Sequence, residues 1–243
     1  MVRDERFPIT RLPRDGVSEH AIVCGDPARA QLIADRFTDA EEVGNNREYV
    51  SFQGTWDGVD VVVSSHGVGA PGALCLFEEL ALAGARTVIR VGTCGSLRPD
   101  IEDGDNIVAT ACVRDDGATP LLVPPEYPAF ASHEVVSALE TAAAEVGHPW
   151  HRGLVWTRGS FFPGVLDVDW DRYARANVIA VEMELSALLV FASLKGLRAG
   201  GILSSDGGTD VSDYDPHRGA VHDGVEKSVD TALRALYLLA HSH

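Results

Sequence analysis

Short apolar runs of β type alternate with helical patterns along nearly the whole chain, and this alternation constrains the fold most. The first run, at 21–24, is followed by Gly25, by Asp26 as a helix N-cap and by Pro27 at the first helical position. Similar periodicity predicts further strands over residues 59–65, 87–91, 106–113, 153–157, 178–181 and 199–204, and helices over 27–37, 71–83, 133–146, 184–195 and 221–240. The pattern predicts one α/β domain over residues 1–243, with a central mixed, largely parallel sheet flanked by helices.

The charge balance excludes several classes of partner. The formal net charge is −16, and only Lys195 and Lys227 among the 20 basic residues are lysines. Such a chain is a poor ligand for nucleic acid or for an anionic membrane surface. No apolar run approaches the roughly 20 residues of a membrane-spanning helix, and the N-terminus lacks the apolar region of a signal peptide. We therefore expect a cytoplasmic protein, typical either of a high-salt, halophilic cytoplasm or of an ordinary acidic one.

The four cysteines of the chain stand singly, without a C-x-x-C pair. We therefore expect neither a zinc site nor a disulfide framework.

The residues that end the first predicted strand are suited to binding an anion. Ligands of open α/β sheets bind beyond the carboxyl ends of strands, and Gly25 allows a close approach there. Arg29 lies in the first turn of the following helix, where a cation is unfavourable unless it faces a bound anion. The alternative is an exposed arginine on a surface helix.

A second polar group follows the strand at 87–91. Arg90 interrupts this apolar strand, and Gly92, Thr93 and Gly95 follow it. An arginine, a hydroxyl and accessible backbone N–H groups together favour a phosphate site. The alternative is an arginine held in an internal salt bridge.

Carboxylates mark two further strand ends. Glu182 and Glu184 flank Met183 and could accept hydrogen bonds from the cis-diol of a sugar, or could simply form an acidic helix start. Asp206 leaves an apolar strand, where desolvation would raise its pKa and suit it to proton donation. The alternative for Asp206 is a turn-forming Asp-Gly pair.

The glycines Gly67, Gly69 and Gly72 fit the dinucleotide-binding fingerprint. The next strand ends at Arg90–Gly92 and offers no acid for a ribose diol. A dehydrogenase is therefore a minor alternative.

Three of these motifs, in this order, resemble the nucleoside phosphorylase family, which includes uridine phosphorylases and hexameric purine nucleoside phosphorylases. They are Gly25-Asp26-Pro27-Ala28-Arg29, Arg90-Val91-Gly92-Thr93-Cys94-Gly95 and Val181-Glu182-Met183-Glu184. The likeness runs from about Val17 to the C-terminal helix. The segments at 113–118, 125–129 and 161–164 are most similar to the uridine phosphorylase branch, which is the closest overall.

The resemblance implies a reversible phosphorolysis, in which a ribonucleoside and phosphate give a free base and ribose 1-phosphate. Phosphate is then a co-substrate, and no cofactor or metal is needed. The resemblance also implies dimers assembled into a hexamer, with Arg47 reaching the phosphate of a neighbouring subunit. Glu48 is a weak candidate for a monovalent-cation ligand at the dimer interface, because the usual serine partner falls at Gly72.

Roles for the remaining site residues follow from the same resemblance. Phosphate would be held by Gly25, Arg29, Arg90 and Thr93. Glu182, Met183 and Glu184 would bind the ribose, with Glu184 on its 2′- and 3′-hydroxyls. The base would meet Gly95, Phe161 and Asp206, and the expected catalytic residues are Asp206, Arg90 and Arg218.

The chain departs from the uridine branch where the base is read. The glutamine and arginine that read uracil fall at Val165 and Asp167. Ser205-Asp206 instead matches the purine branch, in which the aspartate protonates purine N7, and Arg218 is a loose match for a later arginine of that branch. The histidine that both branches place near the N-terminus is absent, since Phe7-Pro8 stands there.

We therefore expect a phosphorylase for uridine, purine nucleosides or both, with a purine-specific enzyme using Asp206 as the main alternative. A nucleosidase on the same fold has no need of three phosphate-binding arginines. A non-catalytic nucleoside-binding protein has no need of the acid. Two loops rich in Asp, Gly and Pro, at 115–127 and 207–217, are long enough to cover the site.

Overall fold

The structure is a computed structural model that describes residues 5–208, 215 and 218–242. Its strands are β1 (His20–Cys24), β2 (Thr38–Asn46), β3 (Tyr49–Trp56), β4 (Val59–Ser65), β5 (Thr87–Ser96), β6 (Asn106–Asp115), β7 (Ala129–Phe130), β8 (Trp150–Arg158), β9 (Val178–Glu182) and β10 (Arg198–Ser205). The helices are α1 (Pro27–Ala34), α2 (Ala70–Ala83), α3 (His133–Val146), α4 (Trp170–Arg175), α5 (Leu185–Lys195) and α6 (Gly219–His241), with a 3-10 turn at Thr119–Leu121. Across the described ranges, no helix is both long and apolar enough to cross a membrane.

All the strands belong to one sheet, which curls on itself. Nine strands follow the order β10-β6-β8-β9-β5-β1-β4-β3-β2, and β7 pairs with β6 off this path. A further pairing of β10 with β5 closes five of the strands into a ring. Strand β5 makes this possible because it pairs in parallel with both β1 and β10, and its last two residues pair with β9. The expected α/β fold with a mixed sheet is confirmed.

The parallel share of the sheet is smaller than expected. Among the described residues, five of the ten strand pairings are parallel and five are antiparallel. Consecutive hairpins join β2, β3 and β4, and such connections force antiparallel pairing. The sequence pattern does not predict β2, because this strand is exposed over most of its length and carries acidic rather than alternating apolar residues.

Two apolar layers cover the two faces of the sheet. In β1, Ala21 and Val23 pack in the layer formed by α2 and α5, and Ile22 and Cys24 pack in the layer formed by α1, α3 and α6. This alternation follows from the period of two in a strand and explains why β1 is apolar on both faces.

The parallel strands β1, β4, β5 and β10 deliver their carboxyl ends to one edge of the sheet. Backbone hydrogen bonds tie these ends together: Gly67 N–H donates to Gly25 O at 2.9 Å, and Asp206 N–H donates to Cys94 O at 2.9 Å. Residues that follow different strands are thereby brought side by side.

Candidate active site

A cavity of about 760 Å³ opens at this edge of the sheet. It lies between the strand ends and the first turns of α1 and α6. Of the residues expected from the sequence, those that line it are Gly25, Arg29, Arg90, Thr93, Gly95, Phe161, Glu182, Met183, Glu184 and Asp206.

The charge at the centre of the cavity wall is Arg90, whose side chain is only 4% exposed. Its Nε donates to Glu182 Oε2 at 3.2 Å, and its Nη2 donates to Glu184 Oε2 at 2.5 Å. Gly92 lies on the same face of β5, and a Cβ there would come within 2.9 Å of Arg90 Nη2. Arg90 is therefore an internal ion-pair partner, as one sequence interpretation expected, and it also lines the cavity.

Glu182 stabilises the start of α5, a role close to the acidic helix start that was one of its two sequence interpretations. Its Oε2 accepts from the backbone N–H groups of Glu184 and Leu185, each at 2.8 Å, and thus caps the start of α5. Its Oε1 accepts from Thr157 Oγ1 at 2.6 Å. Glu182 therefore fixes the β9–α5 junction that presents its neighbours to the cavity.

Glu184, the second carboxylate of the pair, is hydrogen-bonded to two different segments of the chain. Its Oε1 accepts from Gly69 N–H at 2.5 Å, and its Oε2 is paired with Arg90. Burial raises the pKa of Glu184, with Arg90 opposing the rise and Glu182 adding to it. Since Gly69 N–H is taken by a carboxylate, the Gly67–Gly72 segment does not act as a dinucleotide cradle.

Asp206 also lies in the cavity wall, immediately after β10, and is 7% exposed. Burial raises its pKa, against the opposing effects of a hydrogen bond from Thr93 and of the positive charge of Arg29. A carboxyl group in this setting keeps a proton to higher pH than an ordinary aspartate does.

The start of α1 brings Arg29 to the cavity. Asp26 caps the helix by accepting from Ala28 N–H at 2.8 Å, and Pro27 occupies the first turn. Arg29 Nη1 donates weakly to Val91 O at 3.4 Å, which turns the guanidinium towards the end of β5. Arg29 therefore faces the site, as the anion-site interpretation requires.

His66 is a site residue that the sequence interpretation did not include. It directly follows β4 and is completely buried, with Nδ1 at 2.8 Å from Gly67 O and Nε2 at 3.3 Å from Arg90 Nη1. Burial, reinforced by the charge of Arg90, holds the pKa of His66 well below its usual range. The signal in the sequence was a histidine between an apolar strand and a glycine turn.

The end of the cavity near Phe161 contains further side chains that were not expected. Arg158 ends β8, its Nη1 donates to Ser160 O at 2.5 Å and to Phe161 O at 3.3 Å, and its guanidinium lies 5.7 Å from the ring centre of Trp170. Val165, one of the places that correspond to the uracil-reading pair, is fully exposed. The other lining residues outside the expected set include Ser160, Trp170, His222 and Glu226.

Arg218 is not brought into the site. It precedes α6, its Nη1 donates to Asp103 Oδ2 at 2.6 Å, and it does not line the cavity. The expected catalytic role of Arg218 is therefore not supported by its position. Most of the expected covering loop at 207–217 lies outside the described residues.

Arg47 and Glu48 form the tip of the β2–β3 hairpin, and neither of them lines this cavity. Arg47 is exposed and adopts a left-handed conformation with φ of 56°. Glu48 packs against Gly67, where a Cβ would come within 2.8 Å of Glu48 Cγ. Within the described part of the chain, no three His, Cys, Asp or Glu residues form a group able to hold a metal ion.

Comparison with known proteins places the chain in a family. Residues 19–241 match the model of the phosphorylase superfamily. A guanosine phosphorylase of Halorubrum lacusprofundi is 36% identical over 92% of this chain and 95% of its own length. A uridine phosphorylase of Treponema pallidum is 34% identical over 94% of this chain and 92% of its own length.

Solved structures give the same result. The purine nucleoside phosphorylase of Toxoplasma gondii, in complex with immucillin-H, superposes with a TM-score of 0.94 at 34% identity, over 100% of both chains. The uridine phosphorylase of Vibrio fischeri superposes with a TM-score of 0.91 at 30% identity, over 98% of this chain and 100% of that one.

The chain belongs to the phosphorylase superfamily. The enzyme class that its motifs indicate, a nucleoside phosphorylase, is confirmed.

Proposed function

We propose that this enzyme prefers purine ribonucleosides, which it cleaves with phosphate to free base and ribose 1-phosphate. The observation that carries the preference is Asp206, an acid buried in the cavity wall whose burial raises its pKa. A purine can accept that proton at N7 as the glycosidic bond breaks, whereas uracil has no equivalent nitrogen. The guanosine phosphorylase among the relatives supports the same preference.

Phosphate would bind between the start of α1 and the end of β5. Arg29 and Arg90 supply charge, the Thr93 hydroxyl supplies a donor, and Gly25 leaves its backbone approachable. A phosphate held below C1′ stabilises the positive charge that develops on the ribose and then attacks it. Neither step requires a cofactor, and we propose that the reaction needs only phosphate as a co-substrate.

The ribose would lie over Met183, with its 2′- and 3′-hydroxyls donating to Glu184. Arg90 pairs with Glu184 on one side and faces the phosphate position on the other, so it links the two subsites. Glu182 acts indirectly, because its carboxylate is already held by the start of α5 and by Thr157.

The base would stack near Phe161 and Trp170, past Gly95. Its N7 would meet Asp206. We further propose that Arg158 donates to the six-position oxygen of a 6-oxopurine, because Arg158 lines this end of the cavity and the uracil-reading positions do not.

A second copy of the chain would complete the phosphate site. Arg47 is exposed at a hairpin tip and lies outside its own cavity, a position suited to reaching a neighbouring subunit. We propose dimers assembled into a hexamer, in which each Arg47 supplies the neighbour's third phosphate arginine. We also propose that the enzyme works in the cytoplasm.

Base release should be measured by absorbance from guanosine, inosine, adenosine and uridine, with and without phosphate, at high salt. We expect phosphate-dependent release that is fastest from guanosine or inosine. A rate of base release that does not depend on phosphate would contradict the phosphorylase chemistry. Faster release of uracil from uridine than of base from the purine nucleosides would contradict the purine preference.

A further inference from the structure

Arg90 is held from three directions within the cavity wall. Two of its partners, Glu182 and Glu184, are carboxylates, and the third is the imidazole of His66. These three contacts use three of the five N–H donors of a guanidinium and leave two for a ligand. Where those two donors point depends on how the guanidinium plane is turned.

The hydrogen bonds of His66 define its tautomer. Gly67 O is an acceptor, so Nδ1 must carry the proton in the 2.8 Å contact between them. Nε2 then carries a lone pair and accepts from Arg90 Nη1 at 3.3 Å. Full burial and the neighbouring cation keep the pKa of His66 low, so the ring remains neutral and remains an acceptor.

The carboxylates alone would leave one end of the guanidinium unsupported. Glu182 binds Nε and Glu184 binds Nη2, whereas His66 binds Nη1. His66 itself cannot drift, because its proton is tied to Gly67 and its ring packs edge-on against Phe77, with 5.8 Å between the ring centres. It therefore acts as a fixed acceptor on the third side.

We infer that His66 is a positioning residue that sets the orientation of Arg90 for phosphate. This inference rests on the proposed phosphorylase function and adds to it a residue with no expected substrate contact. His66 is absent from the cavity lining, so it acts through Arg90 rather than on the substrate. Substitution of His66 should therefore weaken phosphate binding without unfolding the site.

Three substitutions separate the functions of the ring. His66→Phe keeps the ring packing and removes both hydrogen bonds. His66→Asn retains a donor near the Nδ1 position but no acceptor near Nε2, and His66→Gln can place its amide oxygen near Nε2. The matched control is His20→Phe, which removes another buried histidine, one that precedes β1's apolar run and does not line the cavity.

Steady-state kinetics and phosphate titration by calorimetry would be measured on each variant, with the melting temperature recorded. We expect the KM and Kd for phosphate to rise about tenfold or more in His66→Phe and His66→Asn, the loss expected for a hydrogen bond to a charged group. The KM for the nucleoside should change much less, His66→Gln should recover part of the loss, and His20→Phe should bind phosphate normally.

An unchanged phosphate KM in a folded His66→Phe variant, with only a lower melting temperature, would overturn the inference and leave His66 a packing residue. Failure of the proposed function has a different signature, since the wild-type enzyme itself would then release base without phosphate.

Discussion

At the scale of the residue, the candidate active site contains a charge that is buried and yet lines the cavity. Arg90 is neutralised by two carboxylates, yet it lies in the cavity wall and is fixed by His66. A buried cation without partners would be very unfavourable, so the ion pairs permit an arginine in an apolar strand. Gly92 completes the arrangement, because a side chain there would occupy the space of the guanidinium.

Gly92→Ala tests that arrangement. A Cβ at this position would lie 2.9 Å from both Arg90 Nη2 and Leu203 Cδ2, so the guanidinium must move. We expect the phosphate KM to rise several-fold and the protein to lose about 1–3 kcal/mol of stability by overpacking. Gly219→Ala is the control, since a Cβ there meets no atom within 4 Å. If Gly92→Ala and Gly219→Ala have the same phosphate KM and the same stability, then Gly92 is not needed to leave space for the Arg90 guanidinium.

Asp206→Asn tests the general acid. The amide can accept or donate a hydrogen bond but cannot protonate N7, so we expect the rate of purine cleavage to fall about 10²–10⁴-fold. Uridine cleavage, which does not use that proton, should fall much less. Equal losses for inosine and uridine would remove Asp206 from the chemistry.

The raised pKa of Asp206 also sets the direction of a pH profile. The acid acts in its protonated form, and burial keeps it protonated to higher pH than an ordinary aspartate. We expect kcat/KM for inosine to fall as pH rises through that raised pKa, and this basic limb should be absent from the residual activity of Asp206→Asn. If the basic limb of the pH profile persists in Asp206→Asn, it reports the titration of another group, and the assignment to Asp206 is contradicted.

At the scale of the element, many of the residues that line the cavity lie at or just after the carboxyl ends of strands. Sequence reasoning found the residues around β1, β5, β9 and β10 because glycines and charges interrupt apolar runs there, and parallel strands bring such ends together. His66 was not predicted as a site residue, because its inferred role depends on its contact with Arg90 in β5, and no local sequence pattern reveals that contact. Arg218 pairs with Asp103 and does not line the cavity, and sequence spacing alone could not show that contact.

The end of β8 supplies the residue that we propose to contact the base. Arg158→Ala should lower kcat/KM for guanosine and inosine about tenfold or more, and that for adenosine much less, because adenosine lacks the six-position oxygen. Arg152→Ala is the matched control on the same strand, since that arginine is largely exposed and pairs with Glu140. Equal effects on all three purine nucleosides would contradict a base contact.

At the scale of the whole molecule, the net charge of −16 repels an anion, whereas the proposed phosphate site attracts it. Long-range repulsion must be overcome by the local arginines, and salt screens the repulsion more effectively than it screens a partly buried pair. We expect the phosphate Kd to rise less with salt than in a basic protein, or even to fall. A steep loss of phosphate affinity with rising salt would contradict this balance.

The role of Arg47 belongs to this scale as well, because it requires two subunits. Arg47→Ala and Asp206→Ala should each be strongly impaired alone. When the two variants are refolded together, a subunit carrying Arg47→Ala keeps its own Asp206 and receives an intact Arg47 from its neighbour. We therefore expect activity to return in the mixture, and a mixture as inactive as its parents would contradict a shared site.

The central claim is that this cavity transfers a ribosyl group from a purine to phosphate. Phosphorus NMR during the cleavage of inosine tests it most directly, because the sugar product is observed itself. We expect a new phosphate monoester signal, that of ribose 1-phosphate, which grows in equal amount to the hypoxanthine released. Release of hypoxanthine with free ribose and an unchanged phosphate signal would contradict it.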